Sequence, residues 1–369
     1  MLTLEAVKAL FGACSKIVQV AEGEEEDNVV TPKNSADGLR TLRLDDLSFR
    51  ECTADILSDF APLIHLQHIH IQGIHGLESE GQLRLLMLCP NIKSFYWRGI
   101  LFKTKFQVDR WVEYIESGMW PQLTSLDVLG EEFHDEGLSR VIERLPLPLT
   151  KMLVKTTDFG PMAFHSLISI SRHYTHLQEL ELFACSNVTS SMIQQVMVTM
   201  PALEHFSANR LCVTDIFGIS SKHQSGISGY GGSWICKNLR ILKLCIDMGV
   251  DSDPQALEYV EQQRQVHQRL SKLERLEVLE VSRDLPYREG IVKVRKLDHR
   301  LSTGLGHLSS LKRLRKFQFK PGQTLTMEEI EWMASTWEFL TTVSRNMNLD
   351  QKVNDELVKR LAKHNISVL

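Results

Sequence analysis

Hydrophobic positions along this chain recur as a short signature: two apolar residues three apart, then a third two further on. The clearest copies are Leu39-Leu42-Leu44, Leu66-Ile69-Ile71, Leu177-Leu180-Leu182, Leu239-Leu242-Leu244 and Leu276-Leu279-Val281. Weaker copies stand at Ile92-Phe95-Trp97, Leu123-Leu126-Val128, Leu149-Met152-Val154, Leu203-Phe206-Ala208 and Leu314-Phe317-Phe319. Successive copies open 27, 26, 31, 26, 28, 26, 36, 37 and 38 residues apart. A period of this size means one supersecondary unit stacked on copies of itself.

Within each copy the last two apolar residues flank a single residue, the alternation of a strand with one buried face. The unit opening at Leu177 carries the rest of the pattern: a turn through Cys185, then Val188-Thr189, then a helical pattern through Met192, Val196 and Met200. Thr189 or Ser190 supplies the N-cap. Pro201 returns the chain to the next strand, as Pro90 and Pro121 do in their units. Each unit is therefore expected to hold one strand and one helix. Neither buries its apolar side alone, so neighbours must stack, with parallel strands lining one side and helices the other. The stretch from Asp350 to His364 is expected to be a polar helix within a capping unit at 345–369, and 1–38 a degenerate first unit with an acidic loop. The period extended back to Ile17-x-x-Val20 has the chain opening inside a repeat.

Composition excludes more than it selects. The 369 residues are 43% hydrophobic and 24% charged, as in ordinary folded proteins. A net charge of −4 gives no general attraction to nucleic acid or anionic membrane. No apolar run reaches a membrane span and no signal peptide opens the chain, so a cytoplasmic or nuclear protein is expected. Seven cysteines without a C-x-x-C pair argue against disulfides and zinc. Cys14, Cys89 and Cys236 share a slot three residues before a strand that elsewhere holds Leu, Met, Tyr or Trp, which is a buried position. No nucleophile or phosphate-loop signature is present, so no enzyme and no cofactor is expected. His68 and His70 share a strand face, but two ligands do not make a metal site.

The stretch from Leu177 to Thr189, L-x-x-L-x-L-x-x-C-x-x-V-T, resembles the cysteine-containing, ribonuclease-inhibitor-like subtype of leucine-rich repeat. Cys89-Pro90-Asn91-Ile92 is similar to the return of that subtype. The resemblance implies an α/β fold: a right-handed horseshoe solenoid of about 12–13 units over 1–369, strands concave and helices convex. The same features resemble the repeat regions of F-box proteins, especially fungal ones, and so imply an intracellular protein–protein scaffold that holds a ubiquitylation substrate. A Skp-type adaptor is implied only if an F-box lies outside this chain, because 1–38 offers neither its L-P-x-E start nor room for it. The rival classes are a Ran-type GTPase activator and a ribonuclease-inhibitor-like blocker. The former favours Asn in the turn after the strand, where this chain has Leu47, Ile74, Ile100 and Cys185.

A partner is expected on the strand residues that alternate with the signature. The candidates are Arg43, His68, His70, Tyr96, Asp127, Glu179, Glu181, His205, Lys243 and Glu280. Three enlarged units over 203–314 offer a second edge, through Tyr230 in a Gly/Ser-rich insertion and Arg288 and Arg295 in a basic one. Between them, residues 254–273 are expected to form a long helix.

Overall fold

A computed structural model of the chain describes residues 40–45, 57, 60–73, 78–98, 107–218, 232–249, 257–281 and 296–369. It divides into two compact units, Met1–His173 with Cys185–Asn187, and Tyr174–Ala184 with Val188–Leu369. In both, strand order is chain order and the strands run parallel.

The first unit carries β1 (Thr41–Asp45), β2 (His68–Gln72), β3 (Ser94–Arg98), β4 (Ser125–Leu129) and β5 (Lys151–Lys155). Its helices are α1 (Ser79–Met87), α2 (Val108–Glu116), α3 (Asp135–Arg144) and α4 (Pro161–Ser169), with the short α5 (Ser171–Tyr174) after them. Strand starts are pinned by a repeated device. The Arg40 carbonyl accepts from both Gln67 N and His68 N, at 2.8 and 2.9 Å. The Gln67 carbonyl accepts likewise from Lys93 N and Ser94 N, and that of Lys93 from Thr124 N and Ser125 N. This two-for-one acceptance locks each strand one register step from the last, so the signature leucines of successive repeats superpose.

Beneath the strands lies an aromatic core. The ring of Phe95 stands 5.0 Å from that of Trp120 and 5.6 Å from that of Trp111, which meets Phe133 edge-on. Trp120 donates its indole N–H to the Cys89 carbonyl at 2.7 Å, so the polar tip of a fully buried ring is satisfied. Polar side chains stitch repeat to repeat. The Asp135 carboxylate accepts from Gly160 N, Met162 N and Ala163 N, capping the start of α4 from the preceding helix. A Cβ at Gly160 would lie 2.9 Å from Asp135 Oδ2, which explains the glycine there. Buried His173 accepts from Leu149 N at Nδ1 and therefore donates from Nε2 to the Ile142 carbonyl. Burial pushes its pKa down to about 4, so it is neutral. Cys185 donates its thiol to the Val154 carbonyl, a structural task for the cysteine of the signature turn.

The second unit carries β6 (Glu179–Glu181), β7 (His205–Cys212), β8 (Ile241–Asp247), β9 (Val278–Val281), β10 (Lys316–Phe319), β11 (Thr342–Val343) and β12 (Ser367–Val368). The helices are α6 (Ser190–Thr199), α7 (Val213–Phe217), α8 (Leu257–Leu270), α9 (Met327–Thr336) and α10 (Gln351–Lys363). Thr189 is the N-cap of α6, accepting from Met192 N. The polar stretch after Asp350 is α10, and the Asp350 carboxylate accepts from Lys352 N and Val353 N.

Two expectations need revision, and one feature lies beyond them. The long helix expected over 254–273 is described over Leu257–Leu270, and the chain leaves it at Ser271 in a turn. The repeat opening at Leu276 has, among the described residues, two short 3-10 turns, Leu301–Thr303 and Leu305–Ser310, in place of an α-helix. Gly304 separates them at φ +115°, and a Cβ there would stand 2.9 Å from the Arg264 Cα, so this turn must press flat on α8. Finally, β7 and β8 run to eight and seven residues, longer than the five-residue strands of the first unit. A bulge between Ser207 and Arg210 re-aims β7, and Asp247 at the end of β8 bridges Lys296, which begins the return from the basic insertion.

The shared cysteine slot is buried at Cys89 and Cys236, as at Trp120, Met200, Leu273, Leu311 and Trp337; Tyr174 is half-buried. Burial lifts the Cys236 thiol to about 12, which keeps it protonated and inert.

The second unit also buries a histidine pair. His267 donates from Nδ1 to the Gln263 carbonyl, which leaves its Nε2 to accept from His299 Nδ1 at 3.3 Å. The His299 ring packs edge-on against Phe317, and its backbone N–H donates to Gln323 Oε1. Burial pushes His267 down to about 4, and burial beside His267 pushes His299 well below the usual histidine range.

Candidate functional site

In each unit the outward side chains of the described strands form a polar surface whose positions the repeat fixes residue by residue. In the first unit, parallel register aligns three rows. Thr41, His68, Ser94, Ser125 and Lys151 make the first. Arg43, His70, Tyr96, Asp127 and Leu153 make the second, and Gln72, Arg98, Leu129 and Lys155 close the third. Their burial alternates with that of the inward leucines, as a two-residue period requires.

The imidazole of His70 lies flat on the Tyr96 ring, centroids 3.7 Å apart and planes 4° apart. The Tyr96 hydroxyl donates to Gln72 Oε1 at 3.3 Å, which holds the ring upright. Desolvation, with Lys93 nearby, lowers the pKa of His68, so it is neutral at pH 7. Positive charge on this face is therefore the work of arginine and lysine: Arg43, Arg98, Lys151 and Lys155, against Asp127 among the described outward carboxylates.

In the second unit the central row is Glu181, Ser207, Lys243, Glu280 and Gln318, beside Glu179, His205, Ile241, Val278 and Lys316. Signs alternate here and answer one another locally. His205 Nδ1 stands 3.8 Å from Glu179 Oε1, and Ser207 donates to Glu181 Oε1 at 3.4 Å. At the strand starts Arg240 pairs with Glu277 at 2.9 Å, which holds the Glu277 carboxyl below its usual range. Where the bulge turns β7, Arg210 Nη1 lies 3.5 Å from the buried Asp247 carboxylate, which also accepts from Gly249 N.

All ten strand residues singled out from the sequence occupy outward positions, in two groups. The first unit brings Arg43, His68, His70, Tyr96 and Asp127 together; the second brings Glu179, Glu181, His205, Lys243 and Glu280 together. Tyr230, Arg288 and Arg295, the acidic run at 22–27 and the first repeat at 1–38 lie outside the described residues. Sequence reasoning missed the third row, because it stopped each strand at the second outward residue. It also missed the Arg210–Asp247 pair, which depends on a bulge that no periodic pattern announces. Among the described residues no three His, Cys, Asp or Glu side chains converge as a metal site. No described helix is long and apolar enough to cross a membrane.

No protein family matches the sequence, and no curated relative does. Solved structures do. A chain of the yeast Rad7 and Elc1 complex aligns with a TM-score of 0.50 at 13% identity, covering 85% of this chain. The fold is leucine-rich-repeat-like. This chain spans 65% of the length of that relative, just under two thirds. At such identity the likeness concerns the fold alone.

Proposed function

We propose that this protein is a non-catalytic interaction scaffold that holds a protein partner on the outward face of its strands, as the substrate-recognition part of an F-box-type ubiquitin ligase. The observation that carries the reading is the register itself. In each unit it lines up charged, imidazole or phenolic side chains in rows across neighbouring strands, a polar face of fixed spacing. The yeast chain of like fold was solved in a complex of two proteins, Rad7 and Elc1, which is the precedent for a partner. On this reading the chain winds as a right-handed solenoid of about 12–13 repeats, the hand that parallel crossovers take. On this reading the protein is cytoplasmic or nuclear, needs no cofactor, and meets a Skp-type adaptor only through an F-box outside residues 1–369.

The test begins with affinity purification and mass spectrometry, then reconstitution with the purified partner. Charge reversal on the strands, Arg43→Glu or Lys243→Glu, is expected to weaken that complex by tenfold or more (roughly the loss of one good charged contact). Reversal of Arg84 on α1 is expected to leave it intact. A complex lost with Arg84→Glu but indifferent to both strand variants sinks the proposal. So does an increase in GTP turnover when the protein is added to a Ran-type small GTPase, which would make it an activator.

A further inference from the structure

The outward face of the first unit has a chemistry of its own, and it narrows what that face will accept. In the third row Arg98, Leu129 and Lys155 are register neighbours on β3, β4 and β5. In β5 itself, Lys151, Leu153 and Lys155 point the same way. Leu129 and Leu153, both half-buried, are thus framed by three cations and by Asp127, the register neighbour of both Tyr96 and Leu153, with the His70–Tyr96 stack alongside. Adjacent strands stand about 4.8 Å apart, so Arg98 and Lys155 flank Leu129 across roughly 10 Å, the reach of three residues of extended peptide. Among the described outward positions of the first unit, Leu129 and Leu153 are aliphatic and the rest are charged, polar or aromatic.

Resting on the scaffold reading above, we infer that this face takes an extended acidic segment of a partner protein, with an apolar side chain set between its carboxylates. Arg98, Lys151 and Lys155 meet the carboxylates. Leu129 and Leu153 receive the apolar side chain, and Tyr96 packs along the segment with its ring braced by His70 and Gln72. Charge complementarity selects the occupant. Among the described residues cations exceed carboxylates on this face, whereas the second unit's face sets three glutamates, Glu179, Glu181 and Glu280, against two lysines, Lys243 and Lys316. A long nucleic acid is disfavoured because the patch is local and the whole chain carries −4, which repels a polyanion that outruns the patch. It would also leave the leucine pair unused.

The test is fluorescence anisotropy with the intact chain and a labelled peptide of alternating glutamate and serine carrying one central leucine. Saturable binding is expected, weakening as salt rises. The double variant Arg98→Glu/Lys155→Glu is expected to lose at least about tenfold in affinity, and replacing the peptide's leucine by serine several-fold, about what one buried apolar side chain contributes. Lys243→Glu, in the second unit, is expected to change nothing, and circular dichroism checks that each variant is folded. The inference is overturned by absent or non-saturable binding, by equal binding of a lysine peptide, by indifference to Arg98→Glu/Lys155→Glu, or by duplex DNA that binds more tightly and displaces the peptide. The scaffold reading outlives any of these if a purified partner still releases on Lys243→Glu; it falls only if no strand variant of either unit affects that partner.

Discussion

The first unit packs Phe95, Trp111, Trp120 and Phe133 beneath its strands, and its outward rows are rich in cations. The second buries a histidine pair and a net of glutamine and glutamate side chains, while its outward rows alternate in sign. Both hang on the same ladder of doubly accepting carbonyls: Glu204, Arg240, Glu277 and Arg315 repeat in the second unit what Arg40, Gln67 and Lys93 do in the first. The backbone thus fixes where every side chain stands, and leaves each unit free in what it buries and what it presents. Differences in the buried layer should appear in stability and acid sensitivity. Differences in the outward rows should appear in binding and hardly in stability.

The sharpest way to break this comparison is in the core. Trp120→Ala removes a fully buried ring and its hydrogen bond to Cys89, and should cost about 3–5 kcal/mol in denaturant unfolding. Trp337→Ala should cost about the same, because that indole occupies the same slot and donates to the Leu308 carbonyl. Next comes the contrast between neighbours in one strand. Leu126→Ala should cost about 2–5 kcal/mol, whereas Ser125→Ala, one residue away and outward, should stay within about 0.5 kcal/mol. Equal losses at the two positions would contradict the assignment of faces.

Acid should separate the units more gently. His173, His267 and His299 are held neutral in the fold and have folded pKa values below that of an unfolded histidine. The unfolded chain therefore binds more protons, so their contribution is fully present above about pH 6.5. It is lost as pH falls toward about 4, by about 1.4 kcal/mol per pH unit for each histidine. With two fully buried histidines against one among the described residues, His68 being exposed, the second unit should lose hydrogen-exchange protection more steeply over this range. His267→Gln should flatten its slope; an unchanged slope would show that the pair is not the acid-sensitive element. Smallest of all, Tyr96→Ala should shift stability by less than about 1 kcal/mol, since its ring stacks on an open face.

Much of this arrangement is legible in the sequence. The signature leucines mark strand positions, and with them the outward residues, because a period of two leaves no choice of side. Thr189 announces its cap and Cys89 its buried slot. What escapes depends on contacts between repeats rather than on pattern within one. Asp135 gives no sign in sequence that it caps α4, a helix 26 residues further on. His267 and His299 are separated by an insertion, so their meeting is a product of how the enlarged repeats fold back. The third outward row is lost for a simpler cause. Strand length is set by where pairing stops, and Arg98, Leu129 and Lys155 lie just past the last signature residue.

The central claim is that the strands, and in the first unit their cationic rows, receive the partner. Photocrosslinking tests it most directly, with benzoylphenylalanine in place of Ser94 on β3, Gln318 on β10 or Arg84 on α1, each exposed to the labelled acidic peptide. The expected result is a crosslink from position 94 that excess unlabelled peptide abolishes, and none from positions 318 or 84. Crosslinking from position 84 with none from 94 would contradict it.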